Sequence, residues 1–528
     1  MTKRVGIFGW GVVAPRSPDI EAFERNLKRA TSWLEPFDGF GPSNFLVGRP
    51  DFDFSVYREW INERFEPRRY AQLESKMGNT VKYAVGAFIQ ALEQNPGIEV
   101  LLRDLGDEAH VYVGTGLGDF PLQYKLVQRY YCAQQKWNRF WCQDAHNPAL
   151  KEYRSASDSE KATLREKHGA PTDPDTIDPE ADGCTEIRDD WYAFWVDFSD
   201  GLKSYLKRSR EIEGEDIGND IDSGKGSVIR RKASARRKLN SEFGCPTEPW
   251  NAVDPNLLWN IPNIPAAQVS MLGHITGPAI APVAACAGFS VALKLAVDAI
   301  RSGQAKTAVI GTTDPEPHAL SVGAFYGARV LSHDGRVSKP FTGMRGTHVS
   351  GGACIWIVGD ADYMKARGYE PVGLEILGIG ISSDADHIIT PSEEGPRFAI
   401  RKALADAAIE PEDVATWDMH ATATPGDWSE LQNTLAVLPG SMAITARKGT
   451  FGHGMSVCGG WELTAQHLGF SKGELLPVNL VGDEIHDQIR PYYHRLVQGE
   501  AQTPRGDVAG KINMGVGGIN ACTICRRW

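Results

Sequence analysis

The stretch that decides the fold is residues 277–302, GPAIAPVAACAGFSVALKLAVDAIRS, which the apolar run Thr307–Gly311 follows closely. An apolar, strand-like run leads into Cys286 and a group of small residues. Apolar residues then recur at helical spacing over Gly288–Ser302, and Gly303 is a typical stop signal. A strand, a tight turn and a helix that leads to a second strand form one unit of a mixed α/β fold.

The same alternation of strand-like runs, small-residue turns and amphipathic stretches occurs on both sides of this unit. The runs are the strand-like Arg4–Val13, Val111–Thr115, Ala353–Val358, Ala415–Met419 and Lys511–Gly518 and the helical Pro396–Ala408. We therefore predict an α/β fold with covered sheets. Two similar halves fit this alternation, although no repeat is visible residue by residue.

The composition is that of a folded globular protein, since 42% of the 528 residues are hydrophobic, 9% aromatic and 23% charged. A net charge of −11 argues against a nucleic-acid binder held by bulk positive charge. No apolar run approaches the roughly 18–20 residues of a membrane-spanning helix, so we expect no membrane span. The residues 1–17 have the pattern of a first buried strand rather than of a secretory signal.

The nine cysteines are an odd number and are widely scattered, and a chain of this length does not need disulfides for stability. We therefore expect reduced thiols and a cytoplasmic location. The one close pair, Cys522 and Cys525, lies in a strand-like segment and has no second pair with which to complete a tetrahedral metal site.

The region 126–250 differs from the rest because it is polar and rich in turn residues, as in Ala170–Asp182 and Gly214–Gly226. Aromatic residues within Trp191–Phe198 have the spacing of a helix face. We interpret this region as an insertion, partly helical and partly mobile. Its end is basic, and this run is either a solvated helix or loop or a docking patch for an acidic partner. The arginines of the patch are Arg230, Arg231, Arg236 and Arg237.

Cys286 is the first candidate for chemistry, because the predicted turn would place its sulfur at the amino terminus of a helix. Unpaired backbone N–H groups and the helix dipole favour the thiolate there, and the thiolate is the competent nucleophile. The local pattern alone leaves two interpretations open, a nucleophile or a small buried core residue.

Two histidines lie in segments crowded with small residues. His420 lies in WDMHATATPGDWSE and His453 in ARKGTFGHGMSVCGGWE. The second segment also holds Lys448, and a buried lysine would need a carboxylate partner such as Glu462. A metal site built from Cys286 and the two histidines lacks the short spacings of zinc motifs. The glycine-rich run at 513–520, NMGVGGIN, allows backbone conformations that aim N–H groups at a ligand.

Taken together, these segments resemble the elongating branch of the β-ketoacyl-acyl carrier protein synthases. A cysteine, a histidine in H-x-T-x-T-P, a K-x4-H motif and a glycine-rich end occur in this order. The resemblance covers roughly 1–125 and 255–528, including Ser383–Pro391. It implies a thiolase-like, five-layered αβαβα fold of two similar halves, 1–345 and 346–528, with the insertion in the first half.

The resemblance implies a decarboxylative Claisen condensation. Cys286 would accept an acyl group from acyl carrier protein or coenzyme A, and the backbone N–H groups of Cys286 and Met514 would form the oxyanion hole. His420 and His453 would donate hydrogen bonds to a malonyl thioester as it loses carbon dioxide. The resulting carbanion would attack the acyl group and release a 3-oxoacyl product of fatty-acid or polyketide-type biosynthesis.

The resemblance also implies supporting roles and partners. Lys448, paired with Glu462, would organise the histidines and supply a positive field. The substrates would be carried on phosphopantetheine with no further cofactor and no metal, the partner would be acyl carrier protein, and the chain would form a homodimer. The residues expected to contact substrate are Thr422, Thr424, Met514 and Val516.

Departures from the family pattern concern the substrate pocket more than the condensing chemistry. Met514 and Val516 stand where the family has two aromatic residues, of which the first normally gates the acyl pocket. Methionine is more flexible than phenylalanine, so the acyl-chain preference is expected to differ. Two alternatives remain. One is a non-catalytic chain-length subunit of a heterodimer, which usually lacks the cysteine, and the other is an acyltransferase or decarboxylase that uses half of the cycle.

Overall fold

The computed structural model describes residues 3–216, 221–388, 392–438 and 440–528, and for 221–225 the backbone alone. The end of the predicted segment Ser383–Pro391 and part of the turn-rich Gly214–Gly226 lie outside the described residues. The chain divides into two compact units, of which one comprises 1–122 and 258–528 and the other 123–257. The predicted insertion, 126–250, falls within the second unit.

The strands all lie in the first unit. They are β1 (Val5–Val13), β2 (Glu35–Pro36), β3 (Leu46–Val47), β4 (Ala109–Gly114), β5 (Ala279–Ile280), β6 (Thr307–Asp314), β7 (Gly352–Asp360), β8 (Glu375–Ser383), β9 (Val414–Asp418), β10 (Ala443–Thr445), β11 (Val508–Gly515) and β12 (Ile519–Arg526).

The helices are distributed over both units. They are α1 (Ile20–Leu27), α2 (Arg58–Arg64), α3 (Arg68–Lys76), α4 (Asn79–Glu93), α5 (Ile98–Leu105), α6 (Phe120–Trp141), α7 (Pro148–Ser155), α8 (Asp158–His168), α9 (Cys184–Trp195), α10 (Asp200–Glu213), α11 (Ile221–Phe243), α12 (Pro249–Ala252), α13 (Ile264–Leu272), α14 (Gly288–Ser302), α15 (Ala319–Gly327), α16 (Ala361–Lys365), α17 (Glu394–Ala407), α18 (Gly426–Leu435), α19 (Lys448–Phe451) and α20 (Cys458–Phe470).

The strand pairing repeats itself, which the amino-acid sequence does not reveal. The strand order of the main sheet is β10-β9-β11-β12-β8-β1-β7-β6-β4-β5. Parallel pairing joins β5, β4 and β6, and antiparallel pairing then joins β6, β7 and β1. The strands β10, β9, β11, β12 and β8 follow the same scheme in the same order. The two sets meet where Val5 of β1 pairs with Ile376 of β8.

The boundary between the two sets of strands differs from the sequence-based division at residues 345 and 346. The strand β7, Gly352–Asp360, pairs with β6 and β1, so it closes the first set instead of opening the second. A strand that ends the first set and a strand that begins the second are both buried apolar runs after a loop, so their sequence patterns are the same. The boundary between the first and the second set of strands therefore lies between β7 and β8.

Helices cover both faces of each set of strands, which gives the predicted α-β-α-β-α layers. The helices α14 and α20 share one core with strands of both sets, and Phe289 meets Trp356 at a ring-centroid distance of 4.9 Å. A second core packs α4 and α13 against β1, β4 and β7. A third packs α17 and α18 against β9, β11 and β12. The inner helix α14 is the one predicted from residues 288–302, and Gly303 ends it with φ 83°.

The second unit is helical and is built around aromatic side chains. Trp141, Trp195 and Tyr205 are fully buried in its core, with Trp137 and Trp191 nearly so. The predicted helix face is present, since two of these tryptophans lie one turn apart on α9. Among the described residues, no helix of either unit is both long enough and apolar enough to span a membrane.

Two local predictions differ from the structure. The strand-like run predicted to lead into Cys286, residues 281–285, is not a strand: the two-residue β5 precedes it, and residues 281–284 have no regular structure. The sequence there is rich in alanine and proline, and proline removes a backbone donor from a sheet ladder. In the turn-rich Gly214–Gly226, the helix α11 already begins at Ile221.

Candidate active site

One cavity of about 320 Å³ in the first unit brings together residues that are distant in the sequence. Its wall includes the candidate residues Cys286, Thr422, Thr424, Met514 and Val516, together with both candidate histidines. Most of the remaining wall is apolar and comes from α15 and the chain that follows it. Its other lining residues are Ala324, Phe325, Ala328, Val330, Thr347, Gly426, Asp427, Glu430 and Gly515.

Cys286 lies in a single turn of 3-10 helix, Ala285–Ala287, directly before α14. The residue before it, Ala285, has φ 45°, a left-handed conformation that costs an alanine roughly 1–2 kcal/mol. Backbone strain at this residue is part of what aims the cysteine into the cavity. The predicted position at a helix amino terminus is therefore present.

The protonation of Cys286 differs from the sequence-based expectation. Burial raises the pKa of the Cys286 thiol to about 11, although the Lys448 charge and a hydrogen bond from the Val516 backbone N–H lower it. Desolvation therefore outweighs the groups that favour the anion. In the unliganded chain the sulfur is therefore a thiol at neutral pH.

The two histidines face each other across the cavity wall, with ring centroids 5.5 Å apart and ring planes at 87°. His453 Nδ1 accepts the Met455 backbone N–H at 3.0 Å, and His420 Nδ1 lies 3.4 Å from Lys448 Nζ. Because Nδ1 is the acceptor in both rings, Nε2 carries the proton in each. Met455 has φ 52°, so backbone strain holds this acceptor geometry as well.

Both histidines are neutral donors. Burial lowers the pKa of His453 to about 3, and the positive charge of Lys448 lowers it further. Burial and Lys448 also lower the pKa of His420 well below its ordinary value. Each ring therefore presents an Nε2–H group to the cavity over the neutral pH range.

Lys448 and Glu462 form the predicted buried pair. Lys448 Nζ lies 2.5 Å from Glu462 Oε1 and also donates to the His420 backbone carbonyl. Burial opposes the charge on Lys448, but Glu462 raises the pKa of the ammonium above its ordinary value. Burial likewise opposes the carboxylate, yet Lys448 and Lys511 bring the pKa of Glu462 below its ordinary value.

The pair belongs to a larger buried ion network that sequence analysis missed. The ion network consists of Lys448, Glu462, Lys511, Asp418 and Arg447. Glu462 Oε2 is 2.8 Å from Lys511 Nζ, and Asp418 forms ion pairs with Lys511 and Arg447 at 3.2 Å. These side chains are between 0% and 3% exposed. Three cations and two carboxylates leave one net positive charge beside the histidines.

Three further carboxyl groups hold the loops that carry the candidate residues. Asp314 accepts the Ser456 N–H at 2.8 Å and the N–H groups of Gly116 and Leu117 at 2.9 Å. It thereby ties the chain after His453 to the strand-end turn 114–118. No sequence pattern marks this aspartate, because it ends an apolar strand and its partners lie far away in the chain.

The other two carboxyl groups are Asp427 and Glu430, on α18. Glu430 accepts the His420 backbone N–H at 2.6 Å, and burial raises its pKa to about 8. Asp427 accepts the backbone N–H groups of Thr422 and Ala423 at 2.8 and 3.1 Å. Both carboxyl groups follow the H-x-T-x-T-P motif closely, and this spacing is a signal from which their role was predictable.

In the glycine-rich run, the N–H group that approaches the Cys286 sulfur is that of Val516. Its hydrogen bond lowers the pKa of the thiol, whereas Met514, the predicted oxyanion donor, lies within β11 opposite Asn520. A side chain at Gly515 would come 3.0 Å from the Ala284 carbonyl and 3.3 Å from the Cys286 nitrogen. The close approach of the two backbones therefore favours glycine there.

The predicted substrate-contacting side chains occupy different positions around the cavity. Thr422 and Thr424 share a hydrogen bond of 2.9 Å between their hydroxyl groups. Met514 packs, half-buried, against the core of the second set of strands. Val516 is 45% exposed, so it lies at the cavity's entrance.

The arginines of the proposed docking patch lie in the second unit on α11. Arg231 pairs with Glu215 at 2.7 Å and Arg236 pairs with Glu213. Arg230 and Arg237 are exposed. The patch is therefore a helix face with part of its charge compensated within the unit.

All nine cysteines lie in the described part of the chain, and none forms a disulfide. Cys522 and Cys525 are buried in β12. Over the residues that the structure describes, no group of three or more His, Cys, Asp or Glu side chains is arranged to hold a metal ion.

Comparison with known families gives two matches. The model for the N-terminal domain of beta-ketoacyl synthase matches residues 209–359, and the model for the C-terminal domain of the same family matches residues 374–480. The two matches include Cys286, His420, His453, Lys448 and Glu462.

Curated relatives match part of the chain. Nodulation protein E of Rhizobium sp. (strain N33) is 32% identical over 222 residues, which cover 41% of this chain and 54% of that protein. The 3-oxoacyl-[acyl-carrier-protein] synthase 2 of Staphylococcus aureus (strain COL) is 29% identical over 279 residues, which cover 51% of this chain and 66% of that protein. The chain thus spans between about half and two thirds of the length of these relatives.

Solved structures show the same fold over the whole chain. A beta-ketoacyl synthase from Burkholderia phymatum STM815 has a TM-score of 0.66 at 20% identity, with 100% of both chains covered. The ishigamide ketosynthase/chain length factor has a TM-score of 0.66 at 19% identity, again with 100% of both chains covered. A type II PKS ketosynthase, solved in complex with its acyl-carrier protein, has a TM-score of 0.61 at 17% identity and 100% coverage of both chains.

Proposed function

The chain belongs to the β-ketoacyl synthase family, and we propose that it is an active 3-oxoacyl-[acyl-carrier-protein] synthase. In this proposal an acyl group on Cys286 is joined to a malonyl unit with loss of carbon dioxide. The observation that carries the proposal is the single cavity in which Cys286 meets His420 and His453.

In the first half of the cycle, the Cys286 sulfur attacks the carbonyl carbon of an acyl thioester. The bond from the acyl group to the carrier sulfur breaks, a bond to Cys286 forms, and the thiol proton passes to the departing carrier thiolate. Backbone N–H groups of Cys286 and Val516 stabilise the oxyanion of the tetrahedral intermediate. Because burial keeps the sulfur protonated at rest, loss of its proton accompanies the attack.

In the second half, the two histidines stabilise the enolate of the malonyl thioester. Its carbonyl oxygen accepts hydrogen bonds from the Nε2–H groups of His420 and His453 as carbon dioxide leaves. The carbanion attacks the carbonyl carbon of the acyl-Cys286 thioester, a carbon–carbon bond forms, and the cysteine sulfur leaves. Neutral histidines with fixed tautomers are the donors that this step requires.

The cavity wall suits an acyl chain and a carbanion. Its non-polar part, which includes Phe325 and Val330, excludes water that would protonate the carbanion before it attacks. The same surface offers van der Waals contacts to an alkyl chain. We propose that the substrates are acyl and malonyl thioesters of phosphopantetheine in fatty-acid or polyketide-type biosynthesis.

The proposed macromolecular partners are acyl carrier protein and a second copy of this chain. The exposed arginines of α11 are complementary in charge to an acidic carrier. At the edge of the sheet, the short strand β5 exposes Ile280 at 50%, and Val283 beyond it is 64% exposed. An exposed apolar edge strand is the kind of surface that a second copy covers in a homodimer. A cytoplasmic location, proposed from the unpaired cysteines, completes this assignment.

A second candidate is a non-catalytic chain-length subunit. The likeness to the ishigamide ketosynthase/chain length factor favours this candidate, since that assembly contains both kinds of subunit. Such a subunit would not use a nucleophile, so the cavity-lining Cys286 argues for the condensing enzyme. A third candidate, an acyltransferase or decarboxylase, would use one half of the same cycle.

The test is to incubate the full chain with acyl and malonyl thioesters of carrier protein and to analyse the products by mass spectrometry. A 3-oxoacyl product supports the condensing enzyme. Carbon dioxide release without that product would indicate a decarboxylase, and acyl transfer alone would indicate an acyltransferase. Inertness toward both substrates would favour the chain-length subunit.

A further inference from the structure

Lys511 is a buried lysine at the centre of the ion network. It lies in β11, and its side chain is 0% exposed. Its Nζ is 2.8 Å from Glu462 Oε2 and 3.2 Å from Asp418 Oδ1. It also donates to the backbone carbonyl oxygens of Met419 at 3.2 Å and Ile512 at 2.9 Å. Four oxygen atoms from three elements therefore surround one ammonium group.

Lys511 contacts two parts of the structure that support His420: Glu462, which pairs with Lys448, and the strand end that precedes His420. Glu462 uses Oε2 for Lys511 and Oε1 for Lys448, whose Nζ lies 3.4 Å from His420 Nδ1. Asp418 and Met419 are the two residues before His420, and Lys511 bonds both. One side chain thus fixes the carboxylate that orients Lys448 and the strand end from which His420 projects.

Thermodynamic stability alone gives little reason for an ammonium at this place. A buried ion pair is often no more stabilising than apolar side chains of the same volume, because both charges lose their hydration. The neighbours of Lys511 in β11 pack into apolar cores, and apolar side chains would fit this strand position if the facing carboxylates were replaced as well. What an apolar side chain cannot do is hold two carboxylates and two carbonyl groups at fixed positions.

We propose that Lys511 is a positioning residue for the malonyl decarboxylation step, and this inference rests on the proposed function. It fixes Glu462 and the strand end before His420, so that Lys448 and His420 keep the geometry in which Nε2–H meets the developing enolate. Lys511 is not in the cavity wall. It acts through Glu462, Lys448 and the backbone rather than on substrate.

The effect of Lys511 is directed to one half of the cycle. After burial and Lys448, its charge is among those that lower the pKa of His420 and His453. The positive charge that lowers the pKa of Cys286 is that of Lys448 instead. Loss of the Lys511 charge should therefore slow decarboxylation more than acyl loading of Cys286, which depends on Lys511 only through the position of Lys448.

The experiment compares Lys511→Met with the full wild-type chain. Acyl loading, measured by intact mass, is expected to fall less than the decarboxylation rate. Carbon dioxide release from malonyl thioester is expected to fall about 10- to 100-fold, as for other groups that orient a reacting side chain. In the chain labelled at histidine, NMR titration is expected to give higher pKa values for His420 and His453 than in the wild type.

A matched control is Glu375→Gln, which removes a buried charge from another part of the same unit. Glu375 is 4% exposed and pairs with Arg4 and Arg526. This variant is expected to lose stability while keeping the wild-type ratio of loading to decarboxylation. If Lys511→Met does not fold, Lys511→Gln, which keeps a donor for the two carbonyl groups, is expected to show the same split between the steps.

Two results would overturn the inference. One is a Lys511 variant with the same ratio of the two rates as Glu375→Gln, and the other is unchanged histidine pKa values. A wild-type chain that released no carbon dioxide would contradict the proposed function instead. The histidine titration would still decide the effect of Lys511 in that case, because it does not depend on turnover.

Discussion

The cysteine side and the histidine side of the cavity are built in different ways. On the cysteine side, a strained Ala285 and the start of α14 position the sulfur, and the nearby groups are mostly backbone N–H donors. On the histidine side, the ion network places five charged side chains, nearly all without exposure to solvent, behind the two imidazoles.

This difference corresponds to the charge that each side must manage. Acyl transfer creates an oxyanion close to the sulfur, and two backbone donors stabilise such an anion without reorganisation. Decarboxylation creates an enolate farther from the cysteine, and the histidines can stabilise it as neutral donors only if they stay unprotonated. The positive charges behind them, together with burial, keep their pKa values low. In the proposed cycle the cavity therefore separates the two steps electrostatically, and variants can test each side.

The largest expected effect is on the cysteine side. Cys286→Ala is expected to abolish acyl loading, because no other cysteine of the chain lines the described part of the cavity. Decarboxylation of malonyl thioester is expected to persist in this variant, since the histidine side is intact. Intact mass spectrometry and carbon dioxide release measure the two steps, and continued loading would show that the nucleophile is wrongly assigned.

The histidine side is tested by His420→Ala and by His453→Ala. Each variant is expected to load an acyl group on Cys286 and to lose about 10²- to 10⁴-fold in decarboxylation, the range typical of a positioned donor or acid–base group. Burst loading and carbon dioxide release measure this split. A suitable control is His467→Gln, because His467 is also buried but accepts the Leu374 N–H outside the cavity. Condensation at the wild-type rate in both alanine variants would remove the assigned roles.

The pH dependence of alkylation sharpens the contrast in protonation. With the pKa of Cys286 at about 11, the reactive thiolate is a small fraction at neutral pH. Its alkylation by iodoacetamide should therefore rise about tenfold per pH unit from pH 7 to about pH 10. Peptide mass spectrometry resolves Cys286 from the exposed Cys132. A rate that levelled off near pH 8 would mean that the helix terminus outweighs burial.

A smaller effect is expected where the histidine side is supported indirectly. Glu462→Gln removes the carboxylate that pairs with both Lys448 and Lys511, so the two ammonium groups lose the anion that holds them in place. Decarboxylation is expected to fall about tenfold or more while loading continues. The ratio of the two rates, compared with that of Glu375→Gln, is the measurement. If the two variants had equal ratios, the Lys448–Glu462 pair would have a structural role alone.

The smallest effect should fall equally on both sides. Replacing Arg230 and Arg237 by glutamate is expected to raise KM several-fold at low salt for any substrate bound to carrier protein, in loading and in decarboxylation alike. Coenzyme A thioesters serve as the control, because they lack an acidic protein surface. An unchanged KM for carrier-bound substrates would exclude the patch as the docking site.

The sequence predicted those parts of the fold and site that depend on local pattern. Helical spacing over 288–302 and the stop at Gly303 defined α14, and the order of cysteine, H-x-T-x-T-P and K-x4-H indicated the reacting residues. The repeated strand order was not predictable, because parallel and antiparallel strands of this sheet are alike buried on both faces and so are continuous apolar runs.

The rest of the site depends on contacts between distant segments. Asp418 and Lys511 are each an ordinary charged residue in a strand-like run, and only the pairing of β9 with β11 brings them together. The raised pKa of Cys286 likewise follows from burial, which a local helix-terminus argument does not include. For a similar reason the sequence does not show which N–H of the glycine-rich run faces the sulfur, which is that of Val516, two residues after Met514.

The most direct test of the central claim is to trap the acyl group and find the residue that carries it. After incubation with acyl thioester, the full chain should gain the mass of one acyl group on the peptide that contains Cys286. Addition of malonyl thioester should then remove that mass and release the matching 3-oxoacyl product. An acyl group on another cysteine, or one that malonyl thioester does not discharge, would contradict the account.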